Sequence, residues 1–74
     1  MATAKDFTYE IVQELGVLSE SKSGWTREIN LVSWNGAKAK YDIRDWAPNR
    51  EKLGKGIVLS DEEIDKLKSI LDKF

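Results

Sequence analysis

Residues 29–46 read INLVSWNGAKAKYDIRDW, and this stretch predicts a β-hairpin. Asn35-Gly36 near its centre is the strongest short hairpin signal, because both central residues of a type I′ turn need positive φ. Residues 38–46 then alternate between two faces, as expected for a strand. One face carries Lys38, Lys40, Asp42, Arg44 and Trp46, and the other carries Ala39, Tyr41, Ile43 and Asp45. The strand after the turn is therefore expected to have one basic face that ends in an indole.

The chain before this hairpin predicts one further strand and the start of another. Residues 7–11, FTYEI, alternate strictly between apolar and polar types, which is typical of a strand with one buried face. Gly16 predicts a bulge or bend inside that first strand. Residues 19–24 are small or polar and end in glycine, so they connect the first strand to a second that begins at Trp25.

The chain after the hairpin predicts a fourth strand and a helix. Pro48 cannot donate a ladder hydrogen bond and ends the third strand, and Gly54-Lys55-Gly56 opens a short fourth strand at residues 57–59. The sequence SDEE at residues 60–63 contains a capping box, so a helix begins at Asp61. Its apolar stripe follows the helical period and comprises Ile64, Leu67, Ile70, Leu71 and Phe74.

We expect one α+β domain that spans residues 1–74, because 74 residues are too few for two independent cores. Residues 1–5 are expected to be disordered, residues 6–59 to form a four-stranded antiparallel curved sheet, and residues 61–74 to form one C-terminal helix on one face of the sheet. The other face has nothing in the sequence to cover it. A unit of this size without disulfides gains little net stability, so we expect a homodimer in which the helices pack against each other.

The composition argues against an enzyme and against a membrane protein. The chain has no cysteine and no histidine, which removes thiolate chemistry and the commonest general base and metal ligand. Asp42 and Asp45 are a candidate catalytic pair, but strand alternation sends them to opposite faces. No apolar run approaches the roughly 18 residues of a membrane span, and the first residues lack a secretory signal. We expect a cytoplasmic binding protein that uses no metal or cofactor.

Charge is distributed unevenly along the chain, although the net charge is only −1. It is −2 over residues 1–24, +3 over residues 25–60 and −2 over residues 61–74. Because local field rather than total charge steers a polyanion, such a basic segment is compatible with nucleic-acid binding. The alternative is that these charges are scattered over solvated faces and have no shared role.

The basic face of the third strand is typical of a surface that binds single-stranded nucleic acid. Its cations Lys38, Lys40 and Arg44 lie on one side of the strand, where a step of two residues spans about 7 Å. A single strand offers one phosphate per nucleotide with unstacked bases between, so the surface needs cations with interleaved aromatic rings. Trp46 shares this face with charged side chains, and we therefore expect it to be exposed.

Four further residues are candidates for the same surface. Trp34 and Asn30 share one face of the second strand, and a place in the core is the alternative for Trp34. Trp25 alternates with apolar residues and is expected to be structural. Lys52 and Lys55 flank a glycine turn, where they could clamp a phosphate chain or could simply be solvated.

Three segments, LVSW at residues 31–34, KYDIRDW at residues 40–46 and GKGIVLS at residues 54–60, carry a resemblance to a known family. The chain resembles the positive cofactor four family of transcriptional coactivators, in particular its small bacterial YdbC-type members. The resemblance covers residues 25–71, and its most specific part is Asp-Ile-Arg followed at a fixed interval by Gly-Lys-Gly-Ile and a capped helix. It implies a dimer of curved four-stranded sheets, each followed by a helix, that binds single-stranded DNA through its sheet surfaces.

The resemblance also implies which residues contact DNA: Arg44, Trp46, Lys55, Lys38 and Lys40, and less directly Lys52. The leading hypothesis is therefore a protein that binds single-stranded DNA with little sequence specificity and acts in transcription regulation or DNA metabolism, with the transcription machinery as a further partner. Single-stranded RNA is a close variant of this ligand. The alternative is a protein-interaction domain that acts through its helix or a sheet edge.

Overall fold

The computed structural model describes residues 8–74 and confirms the predicted fold class. Four antiparallel strands form one sheet in the order β1-β2-β3-β4, so each strand pairs with its neighbour in the chain. The elements are β1 (Tyr9–Glu20), β2 (Thr26–Trp34), β3 (Lys40–Trp46), β4 (Leu53–Leu59) and α1 (Asp61–Leu71). The expectations for residues 1–5, and for the part of the first strand before Thr8, lie outside the described residues.

The β2–β3 hairpin contains the predicted turn. Asn35 and Gly36 both have positive φ, 52° and 77°, and the Ala37 amide donates to the Trp34 carbonyl at 2.9 Å. β3 nevertheless begins at Lys40 instead of residue 38. The cause is local, because the Ser33 hydroxyl donates to the Ala37 carbonyl at 2.6 Å and holds the chain after the turn outside the ladder.

Two other predicted boundaries differ from the structure. β4 begins at Leu53 instead of Ile57, since the glycine-rich segment that was expected to precede the strand is itself paired with β3. The helix ends at Leu71 instead of Phe74, where the amides of the last residues donate to carbonyls only three residues back. The predicted capping box is present: the Ser60 side chain accepts from the Glu63 amide, and the Glu63 carboxylate accepts from the Ser60 amide.

β1 is one long strand that contains three bulges, of which the sequence predicted one. Its register against β2 shifts three times, and the residue inserted at each shift is apolar and exposed. These residues are Val12, Leu15 and Leu18. Because each bulge bends the strand and adds to its twist, their regular spacing of three residues gives β1 a continuous curve along β2.

Helix α1 lies on the side of the sheet that carries Ile43 and Ile57, which we call the helix face. Ile64 is the residue of α1 that becomes buried, at 6% exposed. The expected apolar stripe therefore covers this face only in part, because Ile70 and Leu71 stay exposed. The opposite side of the sheet carries Trp34, Arg44 and Trp46, and we call it the ring face.

The described part of the chain contains no helix that is long and apolar enough to cross a membrane. Residues 8–74 also contain no cluster of three or more acidic side chains placed to hold a metal ion.

Candidate nucleic-acid interface

The ring face holds a cluster of aromatic rings joined by Tyr9. The Tyr9 ring lies 5.6 Å from the Trp34 ring and 5.7 Å from the Trp46 ring, centroid to centroid, at interplanar angles of 46° and 53°. Tyr9 pairs with Trp34 across β1 and β2, whereas Trp46 pairs with Thr26 at the other end of β2. The two indoles therefore lean toward the middle of the sheet, and Tyr9 bridges them.

Trp46 is fully buried, with 0% of its surface exposed, so the expectation that it stands on an open face is wrong. The Tyr9 ring lies on one part of it, and the guanidinium carbon of Arg50 lies 5.6 Å from its centroid. Arg50 reaches this position because Asn49 and Arg50 both have positive φ, 59° and 56°, which turns the chain back over the sheet. Helix α1, on the other side of the sheet, plays no part in this burial.

Arg44 lies on the ring face as predicted, but its side chain is only 15% exposed. Its Nε and Nη2 atoms donate to the two carboxylate oxygens of Asp42 at 3.0 and 2.9 Å, and its Nη1 donates to the Gly54 carbonyl at 3.0 Å. The guanidinium carbon lies 4.9 Å from the centroid of the Trp34 ring. Arg44 is therefore a fixed, charge-compensated group stacked on an indole, and not the extended cation that strand alternation indicated.

Asn30 is a buried residue with a structural role and not an exposed contact residue, since only 1% of its surface is exposed. Its side-chain oxygen accepts from the Leu15 amide at 3.3 Å, and its nitrogen donates to Glu28 at 3.2 Å. The first of these bonds joins β2 to the second bulge of β1. The sequence placed Asn30 on the correct face but could not show that β1 covers it.

Glu28 connects β2 to the turn after β3 through a hydrogen bond with Arg50. Its Oε1 accepts from Arg50 Nη2 at 2.8 Å and its Oε2 accepts from the Thr26 hydroxyl at 2.7 Å. Burial acts to raise the pKa of Glu28, but the hydrogen bonds from Thr26, Arg50 and Asn30 outweigh it and hold this pKa below its ordinary value. The hydrogen bond to Glu28 in turn raises the pKa of Arg50, so both groups stay charged at neutral pH.

The predicted lysines do not share one face of the sheet. Lys40 begins β3 opposite Val32, on the ring face, and Lys52 lies in the turn before β4; both are exposed. Lys55 is exposed on β4 but, contrary to expectation, lines a groove with Arg27, Ile43, Asp45 and Ile57 on the helix face. None of these three ammonium groups forms an ion pair or hydrogen bond with another side chain in residues 8–74. Lys38 instead lies 3.8 Å from the carboxylate of Asp61, at the start of α1 and outside the strand in which it was predicted.

The positions of Gly54 and Gly56, on either side of Lys55, have no room for a side chain. A Cβ atom added to Gly56 would lie 2.6 Å from both the Arg44 Cβ and the Ile43 carbonyl oxygen, and one added to Gly54 would lie 2.9 Å from the Asp45 Cβ. The backbone of β4 therefore approaches β3 more closely than any residue with a side chain permits. This approach brings the Gly54 carbonyl to Arg44.

Sequence reasoning missed the roles of Tyr9, Asp42 and Arg50 in this cluster. The alternation of residues 7–11 indicated that Tyr9 has a defined face, but its partner ring depends on the register of β1 against β2. The Asp-Ile-Arg motif contained a usable signal, because residues two apart on a strand share a face and can pair. Pro48-Asn49 was a turn signal, because asparagine tolerates positive φ, but no sequence signal indicated that Arg50 would also adopt positive φ and lie over Trp46.

The segment from the connection before β2 to the last turn of α1, residues 21–70, matches the family model for transcriptional coactivator p15 (PC4). The chain belongs to this family. The PC4 family is known for single-stranded DNA binding and for transcriptional coactivation. A protein of Treponema pallidum (strain Nichols), described as uncharacterized, is 46% identical over 69 residues, which are 93% of this chain and 81% of that protein. The match to the PC4 model begins after β1, so Tyr9 lies outside it.

Proposed function

We propose that this protein binds single-stranded DNA with little sequence preference and that the ring face is the binding surface. The observation that carries this proposal is the stack of Arg44 on Trp34, on the side of the sheet opposite α1. Bases of a single strand stack on aromatic rings and guanidinium planes, and lysines beside them neutralise the phosphates. Lys40 is exposed on the ring face and has no acidic partner in the described residues.

Binding would begin with electrostatic capture and be completed by stacking. Each stacked base contributes about 1–3 kcal/mol and has little dependence on base identity, because every base has a π-face. Each neutralised phosphate adds about −0.7 to the slope of log affinity against log salt. Lys40 and Lys52 on each of two protomers would therefore give a slope of about −3.

The experiment is a tryptophan-fluorescence titration with a thymine oligomer across a salt series, first single-stranded and then annealed to its complement. We expect saturable quenching by the single strand, a slope near the value above, and much weaker binding of the duplex. Equal affinity for the duplex would contradict the proposal. A single-stranded RNA competitor shows whether RNA is an equivalent ligand.

Lysine variants separate the ring face from the rest of the surface. Lys40→Ala should weaken binding and reduce the magnitude of the salt slope by about 1.4, because it removes one cation from each of two protomers, whereas Lys68→Ala, on the exposed side of α1, should change neither. If the chain were a protein-interaction domain acting through α1 or a sheet edge, Lys40→Ala would behave like Lys68→Ala.

We also propose that the chain forms a homodimer through the helix face. This is supported by a groove of about 300 Å³ between α1 and the sheet, lined by residues such as Ile43, Leu67 and Ile70. Ile57 and Ile70 remain 56% and 45% exposed beside it, and a second copy of α1 would remove that apolar surface from water. Light scattering should give the mass of two chains, and Ile70→Glu should give one. A monomeric wild-type chain at micromolar concentration would contradict this proposal.

The proposed cellular role is transcription regulation in the cytoplasm by binding and not by catalysis, with the transcription machinery as partner. The coactivation known for the PC4 family supports it. Co-purification of RNA polymerase with the tagged chain tests this role, and its absence under conditions where single-stranded DNA is retained would contradict it.

A further inference from the structure

The sheet is open, so its two outer strands, β1 and β4, each have one side that no other strand of the described residues pairs with. Such an edge presents backbone amides and carbonyls to other chains, and proteins protect it with charged side chains and bulges. β1 has three bulges, and glutamates lie along it. The side chains of each edge therefore decide which partner can approach it.

The two edges carry opposite charge. β1 contains three acids and no base, whereas β4 contains one base, Lys55, and no acid, and follows directly on Lys52. The acids of β1 are Glu10, Glu14 and Glu20. Glu10, Glu20 and both lysines are exposed and form no ion pair within residues 8–74. These four charges are therefore available to a partner chain.

Both edges also expose apolar side chains. The residues inserted at the bulges of β1 are 54%, 41% and 59% exposed, and Val58 of β4 is 40% exposed. The bulge residues are Val12, Leu15 and Leu18. A contact between the two edges would remove part of this surface from water, which favours association.

The charges select which edges can meet. Like charges directly opposite each other across neighbouring strands are destabilising and opposite charges are favourable, so β1 repels a second β1 and attracts β4. β1 and β4 run in opposite directions in the sheet. A second copy added by translation would therefore set its β4 antiparallel to β1 and keep its helix face on the same side. Glu10, opposite Ser33, and Lys55 both lie on that face.

We propose that the β1 edge of one copy of this chain binds the β4 edge of a second copy. The contact is heterologous, because each copy uses two different surfaces, so it joins copies into rows. It is separate from the proposed DNA binding and from the helix-face dimer, since it needs neither the stack of Arg44 on Trp34 nor α1. Bulges interrupt a continuous backbone ladder and exposed ion pairs each contribute little. The contact is therefore weak, reversible and sensitive to salt.

The test is light scattering over a concentration series that reaches about 1 mM chain, at ionic strengths of about 0.02 M and about 0.5 M. The mean mass of the wild-type chain should rise with concentration at low salt, beyond that of any helix-face dimer, and the rise should be lost at high salt. Glu10→Lys combined with Glu20→Lys makes both edges basic and should abolish the rise. Glu14 is left unchanged because it pairs with Arg50.

Two fourfold variants separate edge pairing from general charge. Adding Lys52→Glu and Lys55→Glu to the two glutamate substitutions reverses both edges, so the rise should return. Adding Lys68→Glu and Lys73→Glu instead changes exposed residues in and just after α1. Both fourfold variants have the net charge of the wild-type chain, −1, since two charge reversals of each sign cancel. Only the first has edges of opposite charge, and only the first should associate.

Several results would overturn the inference. One is a wild-type mass that does not rise with concentration at low salt, which would mean that the edge charges only keep copies apart. Another is that the two fourfold variants associate equally. A third is that Ile70→Glu, aimed at the helix-face dimer, also removes the rise, because the association would then run through α1. None of these results bears on the binding of single-stranded DNA, which the fluorescence titration tests separately.

Discussion

Asp42 binds Arg44 side-on within a single strand, with Asp42 Oδ2 2.9 Å from Arg44 Nη2 and Asp42 Oδ1 3.0 Å from Arg44 Nε. The two residues are two positions apart on β3 and therefore share the ring face. Because the carboxylate takes one edge of the guanidinium and the Gly54 carbonyl takes another nitrogen, the plane of the group is fixed against Trp34. The Asp-Ile-Arg motif is thus a pair that positions a flat cation.

Asp42→Ala should destabilise the fold strongly. Asp42 is 0% exposed, and its removal leaves the guanidinium of Arg44 largely covered without a counter-charge. Loss of one partner of a buried pair costs about 3–5 kcal/mol. Urea unfolding measures this loss. The matched control is Asp45→Ala, which breaks the solvent-exposed pair with Arg27 on the helix face and should have a much smaller effect. Equal losses in the two variants would contradict the account of Asp42.

Gly56→Ala should also destabilise the protein, by about 1–3 kcal/mol, because its methyl group would overlap the Arg44 Cβ and the Ile43 carbonyl and force β4 away from β3. Gly16→Ala is the control, since a Cβ there meets nothing within 4 Å. That substitution should leave the melting temperature unchanged or raise it slightly. Thermal unfolding followed by circular dichroism compares the two, and a Gly56→Ala variant as stable as the wild-type chain would show that the close approach is not required.

The folded protein should be less stable at acid pH, because Glu28 then becomes protonated. The pKa of Glu28 is below its ordinary value of about 4.3 in the folded chain. A lowered folded-state pKa contributes stability that is complete above the ordinary value and is lost as the pH falls through the folded value. The free energy of unfolding should therefore fall below about pH 4.3. Asp45, whose hydrogen bond with Arg27 lowers its pKa, adds to the same trend.

Glu28→Gln isolates the contribution of Glu28 to this pH dependence. It should lower stability at neutral pH and flatten the decline in acid, while the part due to Asp45 remains. Urea unfolding at a series of pH values measures both effects. An unchanged pH profile in the variant would mean that the contacts of Glu28 with Thr26 and Arg50 do not stabilise its ionised form.

Local signals predicted the parts of this fold that depend on local geometry. The positive φ angles of Asn35-Gly36 and the reciprocal bonds of Ser60 and Glu63 are each fixed by a few adjacent residues. The start of α1 and the central hairpin therefore follow from the sequence. The end of α1 does not, because the last turn has no strong stop signal and tightens to three-residue hydrogen bonds.

The burial of Trp46 could not be predicted from local sequence signals. Strand alternation gave its side of the sheet correctly, but the inference that a face with charged residues must be open was wrong. Asp42 and Arg44 form an ion pair with each other, so both can be buried. The Trp46 ring is contacted by the ring of Tyr9 and the guanidinium of Arg50. Both arrive through irregular backbone, the bulges of β1 and the positive φ angles before β4, which a period-two pattern does not contain.

The most direct test of the central claim is an NMR titration of the ¹⁵N-labelled chain with a single-stranded thymine oligomer. The three tryptophans give separate indole resonances, and Trp25 packs near Gly54, away from the ring cluster. We predict that the Trp34 indole and the amides of Tyr9 and Lys40 shift during the titration, while the Trp25 indole and the amides of α1 do not. Shifts confined to Trp25 and α1 would contradict the assignment of the ring face as the DNA-binding surface.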